Sequence, residues 1–283
     1  MNVVVSVRGL RKSYGEFEAL KGVDFELRPG EVFGLLGPNG AGKTTTVEIL
    51  EGYRPRDSGD VEVLGRDPAR AGADWRARIG VVLQSSAMYE NLTVAESLDQ
   101  FAGYYEEPRP TDEVIELIGL KDKRDDRVRR LSGGQRRRLD LGLALVGDPE
   151  LIFLDEPTTG FDPGARRRAW ETIRSLSSLG KTILLTTHYL DEVEQLADRV
   201  AVLREGQIVA SGTPQELTQA TPATEIRYRE NGREVVLRTE EPTRVLHELT
   251  SRALARGDEL DGLQVRRPSL EEVYLSLTQE EGG

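Results

Sequence analysis

Three short stretches of this chain carry residue types that handle phosphate. The first, Gly37-Pro38-Asn39-Gly40-Ala41-Gly42-Lys43-Thr44, spaces glycines so that backbone N–H groups can wrap phosphates, with Lys43 as a point charge and Thr44 as a hydroxyl suited to magnesium. The second, Leu131-Ser132-Gly133-Gly134-Gln135, precedes an apolar-periodic run (Leu139, Leu141, Leu143, Ala144, Leu145) and reads as a turn bringing the main chain to an anion at the positive end of a helix. In the third, the apolar run Leu151-Ile152-Phe153-Leu154 ends in Asp155-Glu156-Pro157, so two carboxylates emerge where Pro157 stops strand pairing. Asp155 suits a magnesium shell, usually through water, and Glu156 suits orienting or activating the attacking water.

Each stretch needs an element to hold it. Glu31 to Leu36 is a short buried-strand pattern before the glycine loop, and Thr45 to Leu50 begins a helix after it, the strand-turn-helix setting that a phosphate loop requires. Strand patterns at Val3 to Arg8, Val23 to Leu27, Val61 to Leu64, Ile79 to Leu83, Leu151 to Leu154, Ile183 to Thr186 and Val200 to Leu203 alternate with helices, which predicts an α/β core. Parallel sheets bind ligands at their carboxyl edge, where Asp155 and Glu156 would stand. Between Gln84 and Leu131 the pattern turns helical, with Val94 to Tyr105 and a helix opened by Thr111-Asp112. Arg204-Glu205-Gly206-Gln207 reads as a turn before a strand at Ile208 to Ala210, and Pro214 to Leu217 opens a short helix. After Gln219 the character changes. Strands Glu225 to Tyr228 and Val235 to Arg238 flank Asn231-Gly232, a hairpin signal; a helix over Pro242 to Ala255, a strand at Leu263 to Val265 and a capped helix over Ser269 to Leu277 follow.

The glycine loop, the Leu131 to Gln135 signature and the Asp155-Glu156 pair, in that order, resemble an ATP-binding-cassette (ABC) ATPase over roughly Val3 to Leu217. The resemblance implies a P-loop NTPase (RecA-like) core with the family's helical subdomain at about 86–148, within a cassette of residues 1–219. A small α+β C-terminal domain would occupy residues 225–283. ATP and Mg2+ would be the cofactors. Gly37 to Thr44, Thr45, and Ser132, Gly133, Gly134 and Gln135 would hold the nucleotide, the latter four from the opposite subunit of a homodimer. Further positions acquire implied roles: Tyr14 as the aromatic stacked on adenine, Gln84 as the glutamine reaching magnesium and the γ-phosphate, His188 as the switch histidine, and Asp162 at the dimer interface. Alone, Tyr14 reads as a surface aromatic, Gln84 as a strand end and His188 as a structural histidine. Gly160-Phe161-Asp162 departs from the Ala and Leu of many relatives. Catalysis would fall to Lys43, Glu156, His188 and Gln84, and the metal to Thr44, Gln84 and Asp155.

In this family the region after the glutamine faces separate membrane-spanning permease subunits, so Tyr89, Glu90, Asn91 and Leu92 form a candidate docking loop, or a plain connection. Pro268-Ser269-Leu270-Glu271-Glu272-Val273-Tyr274 is similar to the ending of drug and antibiotic exporter ATPases of the daunorubicin-resistance type, a dimer-stabilising or regulatory tail, or a stability appendage. Rival readings are an importer ATPase with the same catalytic residues, a soluble ABC ATPase in repair, translation or cluster assembly, and a non-hydrolysing scaffold. The single uninterrupted cassette and the intact Asp155, Glu156 and His188 count against the last two.

Composition sets bounds. The chain has 283 residues, 37% of them hydrophobic, enough for one large domain and a small one. No apolar run approaches the roughly 18 to 20 residues of a membrane span, and Met1 to Arg8 alternates like a strand rather than a secretion signal. Cysteine is absent, and the expected place is the cytoplasmic face of the cell membrane. A formal charge of −11 argues against nucleic acid as a partner. Arg127, Arg129, Arg130 and Arg136-Arg137-Arg138 read mostly as a solvated helix face balanced by Asp125, Asp126 and Asp140, with one or two left to attract phosphate.

Overall fold

The structure, a computed structural model, describes residues 3–82, 89–220, 224–230, 233–266 and 269–279, without the side chains of 219, 220 and 276–279. It divides into two compact units, Met1–Ser211 and Gly212–Gly283. In the first unit, strands β1 (Val5–Tyr14) and β2 (Phe17–Leu27) form a hairpin. Strand β3 (Val32–Leu36) runs into helix α1 (Lys43–Leu50), followed by β4 (Ser58–Val63), the short α2 (Ala73–Arg76) and β5 (Ile79–Val82). Helices α3 (Val94–Ala102), α4 (Thr111–Leu117) and α5 (Gly133–Leu145) come next, as the helical pattern between Gln84 and Leu131 predicts. Strand β6 (Leu151–Asp155), α6 (Pro163–Ser178), β7 (Thr182–Thr187), α7 (Leu190–Leu196), β8 (Arg199–Arg204) and β9 (Gln207–Gly212) complete it.

Two sheets result. An antiparallel one has the order β2-β1-β4, and a six-stranded one the order β5-β6-β7-β3-β8-β9. The pairings from β5 through β6, β7 and β3 to β8 are parallel, and register puts Asp155 beside Thr186 and Leu36 beside Thr187. Strand alternation sorts the core. Phe33, Leu35, Leu151, Phe153 and Leu184 face the antiparallel sheet, Val47 and Leu50 of α1, and Trp75. Their neighbours Val32, Ile152, Leu154, Ile183 and Leu185 face Leu98, Val114, Leu139, Ile173 and Leu196 of the helices. Burial of each large side chain contributes about 1.5–3 kcal/mol, so the central strands are the most firmly held part of this unit.

Three boundaries differ from the expectations. Strands β1 and β2 run far beyond Arg8 and start before Val23, because their pairing carries register shifts that break the alternation a sequence pattern relies on. Helix α3 stops at Ala102 rather than Tyr105, with Gly103 at its C-cap. In the second unit, α8 (Pro214–Ala220) packs against α10 (Leu270–Gln279), which groups residues 212–219 with the tail rather than with the cassette. The rest of that unit is the antiparallel sheet β11-β10-β12 (Arg233–Thr239, Thr224–Glu230, Asp261–Arg266) with α9 (Pro242–Arg256) on Ile226 and Tyr228. Asn231-Gly232, the expected hairpin signal, lies outside the described residues, while Glu230 pairs with Arg233.

Candidate functional site

The glycine loop joins β3 to α1, and close packing dictates its glycines. A Cβ on Gly37 would stand 2.3 Å from the Leu203 carbonyl oxygen, and Gly42, at φ +108°, would meet Leu20 at 2.7 Å and the Ala19 carbonyl at 2.8 Å. The loop is pinned to β7 by Gly37 N–H donating to Thr187 O at 3.2 Å. Lys43 turns back over it, its ammonium donating to Gly37 O at 2.8 Å and Pro38 O at 3.2 Å and standing 3.2 Å from Glu156 Oε1.

Next to it, the Thr44 hydroxyl donates to Asp155 Oδ2 at 3.2 Å, and Thr186 donates to Asp155 Oδ1 at 2.5 Å. The Thr186 hydroxyl also accepts from Glu156 N–H at 3.0 Å. Glu156 adopts φ +47°, the left-handed region, where a residue with a side chain is strained. Its carboxylate accepts from Thr159 at 3.1 Å, and His188 Nδ1 lies 3.3 Å from Oε1. Burial pushes the Glu156 carboxyl up, but the Lys43 charge and the contacts with His188 and Thr159 outweigh it and hold the group below the ordinary glutamate range. At the far end of α1, burial, then the charges of Asp155 and Glu48, push Glu51 up to about 8.

Lys43, Thr44, Asp155, Glu156 and His188, from three loops at one edge of the parallel sheet, therefore meet. Tyr14 is half-exposed, with its hydroxyl 3.5 Å from Thr45 Oγ1 and the Arg54 guanidinium 5.3 Å from the ring centre. Gln84 lies outside the described residues. The remaining expected residues gather elsewhere. Ser132, Gly133, Gly134, Gln135 and Asp162 line a cleft of about 790 Å3 whose walls include Glu156 but none of Gly37 to Thr44. There Ser132 caps α5: Gln135 N–H donates to Ser132 Oγ at 3.3 Å, and Ser132 N–H to Gln135 Oε1 at 2.8 Å. Asp162 caps α6 by accepting from Ala165 N–H at 2.9 Å.

The arginine-rich stretch corrects an expectation. Arg127, Arg129 and Arg130 are exposed, but Arg136, Arg137 and Arg138 are half-buried and bind carbonyls: Arg129 O, then Asp155 O and Pro157 O, then Ile118 O and Gly119 O. Among the expected counter-charges, Asp125 contacts Arg124, Asp126 contacts Lys123 and interacts with the charge of Arg130, and Asp140 lies 3.9 Å from Arg137. Thr186 was missed as well. The signal for it is a threonine pair closing an otherwise apolar strand beside His188.

The donor set fits magnesium and a polyphosphate. A hydroxyl and a carboxylate supply hard oxygens side by side, and an ammonium and the N-terminus of α1 flank them beneath a loop that leaves no room for a Cβ at Gly37 or Gly42.

Residues 20–159 match the family model described as ABC transporter, and residues 213–269 match that of the C-terminal domain of ABC transporter domain-containing protein-like chains. The chain is 37% identical to the daunorubicin resistance ATP-binding protein of Streptomyces coeruleorubidus, over 99% of this chain and 97% of that one. It is 34% identical to the linearmycin resistance ATP-binding protein of Bacillus subtilis, over 97% and 98%. It is 38% identical to Nod factor export ATP-binding protein I of Rhizobium sp., over 99% and 98%. Among solved structures, an ATP-binding cassette of an ABC transporter in its ADP conformation superposes with a TM-score of 0.68 at 27% identity, covering 76% of this chain and 93% of that one.

Proposed function

Because the chain belongs to the ABC transporter ATP-binding family, whose members hydrolyse ATP with Mg2+ as the usual metal, we propose that it is the ATPase subunit of an exporter of drugs, antibiotics or lipid-like molecules. In this proposal it works as a homodimer on separate permease subunits at the cytoplasmic face of the membrane. The observation that carries the export reading is likeness to resistance and export ATP-binding proteins along the whole chain, the tail included. No described helix is long and apolar enough to cross a membrane; in this proposal the transport path belongs to the separate permease subunits.

Each residue then has a task. Magnesium, when bound, supplies charge neutralisation at the β- and γ-phosphates. Thr44 and Asp155 hold it, with Gln84 as a further ligand; Lys43 and the loop N–H groups orient the phosphates. Glu156 aligns the attacking water, its lowered pKa keeping it an acceptor at neutral pH, and His188 borders the same carboxylate. Tyr14 stacks on the base. Ser132, Gly133, Gly134 and Gln135 of a second copy close over the γ-phosphate, and Asp162 meets the facing chain. Hydrolysis removes the charge that held the two copies together, so closing and opening become work on the permease.

The test is affinity capture of tagged Glu156→Gln protein from detergent-solubilised native membranes in ATP. A copurifying polytopic exporter-type protein supports the proposal. Recovery of soluble ribosomal, repair or assembly proteins alone, or of an importer permease, overturns it.

A further inference from the structure

Arg137 projects from the second turn of α5, two residues past the Leu131 to Gln135 turn, into the gap beside β6. Its Nη2 donates to Asp155 O at 3.1 Å and its Nε to Pro157 O at 3.3 Å, so one planar guanidinium spans the carbonyls on either side of Glu156. The side chain is only 13% exposed, and its acidic neighbour Asp140, 3.9 Å away, is similarly enclosed. Glu156 lies between the two gripped carbonyls in the left-handed conformation. Such a backbone persists only where its surroundings fix it. The segment's far end is anchored separately, by the buried Thr158 hydroxyl donating to Glu192 Oε1 at 2.9 Å. Glu156 N–H is held by Thr186 as well, at 3.0 Å to Oγ1, so loss of Arg137 would loosen the two peptides that flank Glu156 without freeing the whole loop.

We infer that Arg137 is the positioning residue for Glu156: it fixes the strained backbone from which the carboxylate is aimed, and it ties that backbone to the helix headed by Ser132. This rests on the reading of Glu156 as the carboxylate that aligns water. Movement of the turn at 131–135 is passed to the peptides flanking the glutamate by this guanidinium. Lysine cannot replace it, because a single ammonium on a flexible stem does not hold two carbonyls in fixed geometry as a planar fork does.

The experiment compares Arg137→Lys, Arg137→Met and Arg137→Ala in the full chain. With MgATP as the probe, affinity is expected to stay within about threefold of the unaltered protein, while kcat falls by about a hundredfold in the Lys and Met variants, the effect of misplacing a catalytic group by roughly an ångström. Methylguanidinium is expected to restore part of the turnover of Arg137→Ala. In a Glu156→Gln background, Arg137→Lys is expected to leave ATP-dependent dimerisation intact on light scattering, because the arginine acts on the glutamate and not on the presentation of Ser132. Arg137→Lys alone carries the test if the others do not fold. Unchanged kcat in the lysine variant, parallel loss of affinity and turnover, or loss of the ATP-dependent dimer overturns the inference. Full turnover in Glu156→Gln with Arg137 intact would instead remove the reading beneath it.

Discussion

Lys43 Nζ and Glu156 Oε1 stand 3.2 Å apart, with side chains only 5% and 10% exposed. The ammonium placed to meet phosphate is therefore already neutralised by the carboxylate placed to align water, and an incoming phosphate competes for it. Glu156→Gln is expected to bind MgATP about threefold to tenfold more tightly and to lose at least about a hundredfold in kcat. Equilibrium binding and phosphate release measure the two. Weaker binding in the Gln variant would show that the pair does not oppose the nucleotide.

The same pair sets a pH dependence. Glu156 is held below the ordinary glutamate range, so its ionised form, and the stability it contributes, is present above the unfolded-state value and lost as pH falls through the folded one. The acid limb of kcat should accordingly lie below the ordinary carboxylate range. In Lys43→Arg, which keeps a charge there, the limb should stay acidic, while in Lys43→Met any residual turnover should show it shifted upward. An unshifted limb in Lys43→Met would assign it to another group.

Glu51 has the opposite sign. Its carboxyl is raised from 4.5 to about 8 by burial and by Asp155 and Glu48. The folded chain takes up a proton between those values, so the stability linked to this group is complete below 4.5 and declines as pH rises toward 8. Glu51→Gln, a neutral isostere, is expected to change stability by less than about 1 kcal/mol at about pH 5 and to stabilise by about 4–5 kcal/mol at about pH 8.5. Urea denaturation at the two pH values decides it, and an equal effect at both would count against the shift.

Two glycines of the phosphate loop separate strain from crowding. Gly40, at φ +82°, has open space where a Cβ would stand, whereas Gly42, at φ +108°, has Leu20 and the Ala19 carbonyl under 3 Å away. Gly40→Ala should destabilise by about 1 kcal/mol and Gly42→Ala by about 3 kcal/mol or more, with loss of the ATP-induced rise in Tm only in the second. Similar thermal shifts for both would mean that backbone strain alone governs the loop.

In the C-terminal unit, Glu225 is a buried carboxylate held by Arg227 and, at 2.9 Å, by Arg266, which also reaches Glu272 of α10. Hydrogen bonding from Arg227, opposed by burial and joined by Arg266, keeps its pKa low. Glu225→Ala removes one partner from each of these partly exposed guanidinium groups, which keep Glu234 and Glu272, and should destabilise this unit by about 1–2 kcal/mol. Hydrogen exchange should show increased opening of β10 and β12 while the protection of β6 and β7 is unchanged. Uniform loss across both units would contradict it.

How much of this was legible follows from where each residue's partners lie in the chain. Strands β3, β6 and β7 are continuous apolar runs, so their buried character and the polar residues at their ends stand out by contrast. Arg137 does not. Its sequence neighbours make it look solvated, and its carbonyl partners lie 18 and 20 residues away, known only once α5 is laid against β6. Likewise, Ser132 and Gln135 announce a phosphate contact by type, but their side chains cap each other, which leaves mainly backbone and glycine to present outward.

The register of β6, β7 and β3 also bears on how the chain is made. Asp155 stands beside Thr186, and Thr187 beside Leu36, so the nucleotide pocket unites segments near positions 40, 155 and 188 through strand pairs that cannot form before β7 is made. A nascent chain has no such pocket until β7 has left the ribosome and slotted between β3 and β6. Nucleotide thus selects finished molecules, stabilising by mass action only those in which the central strand has been inserted.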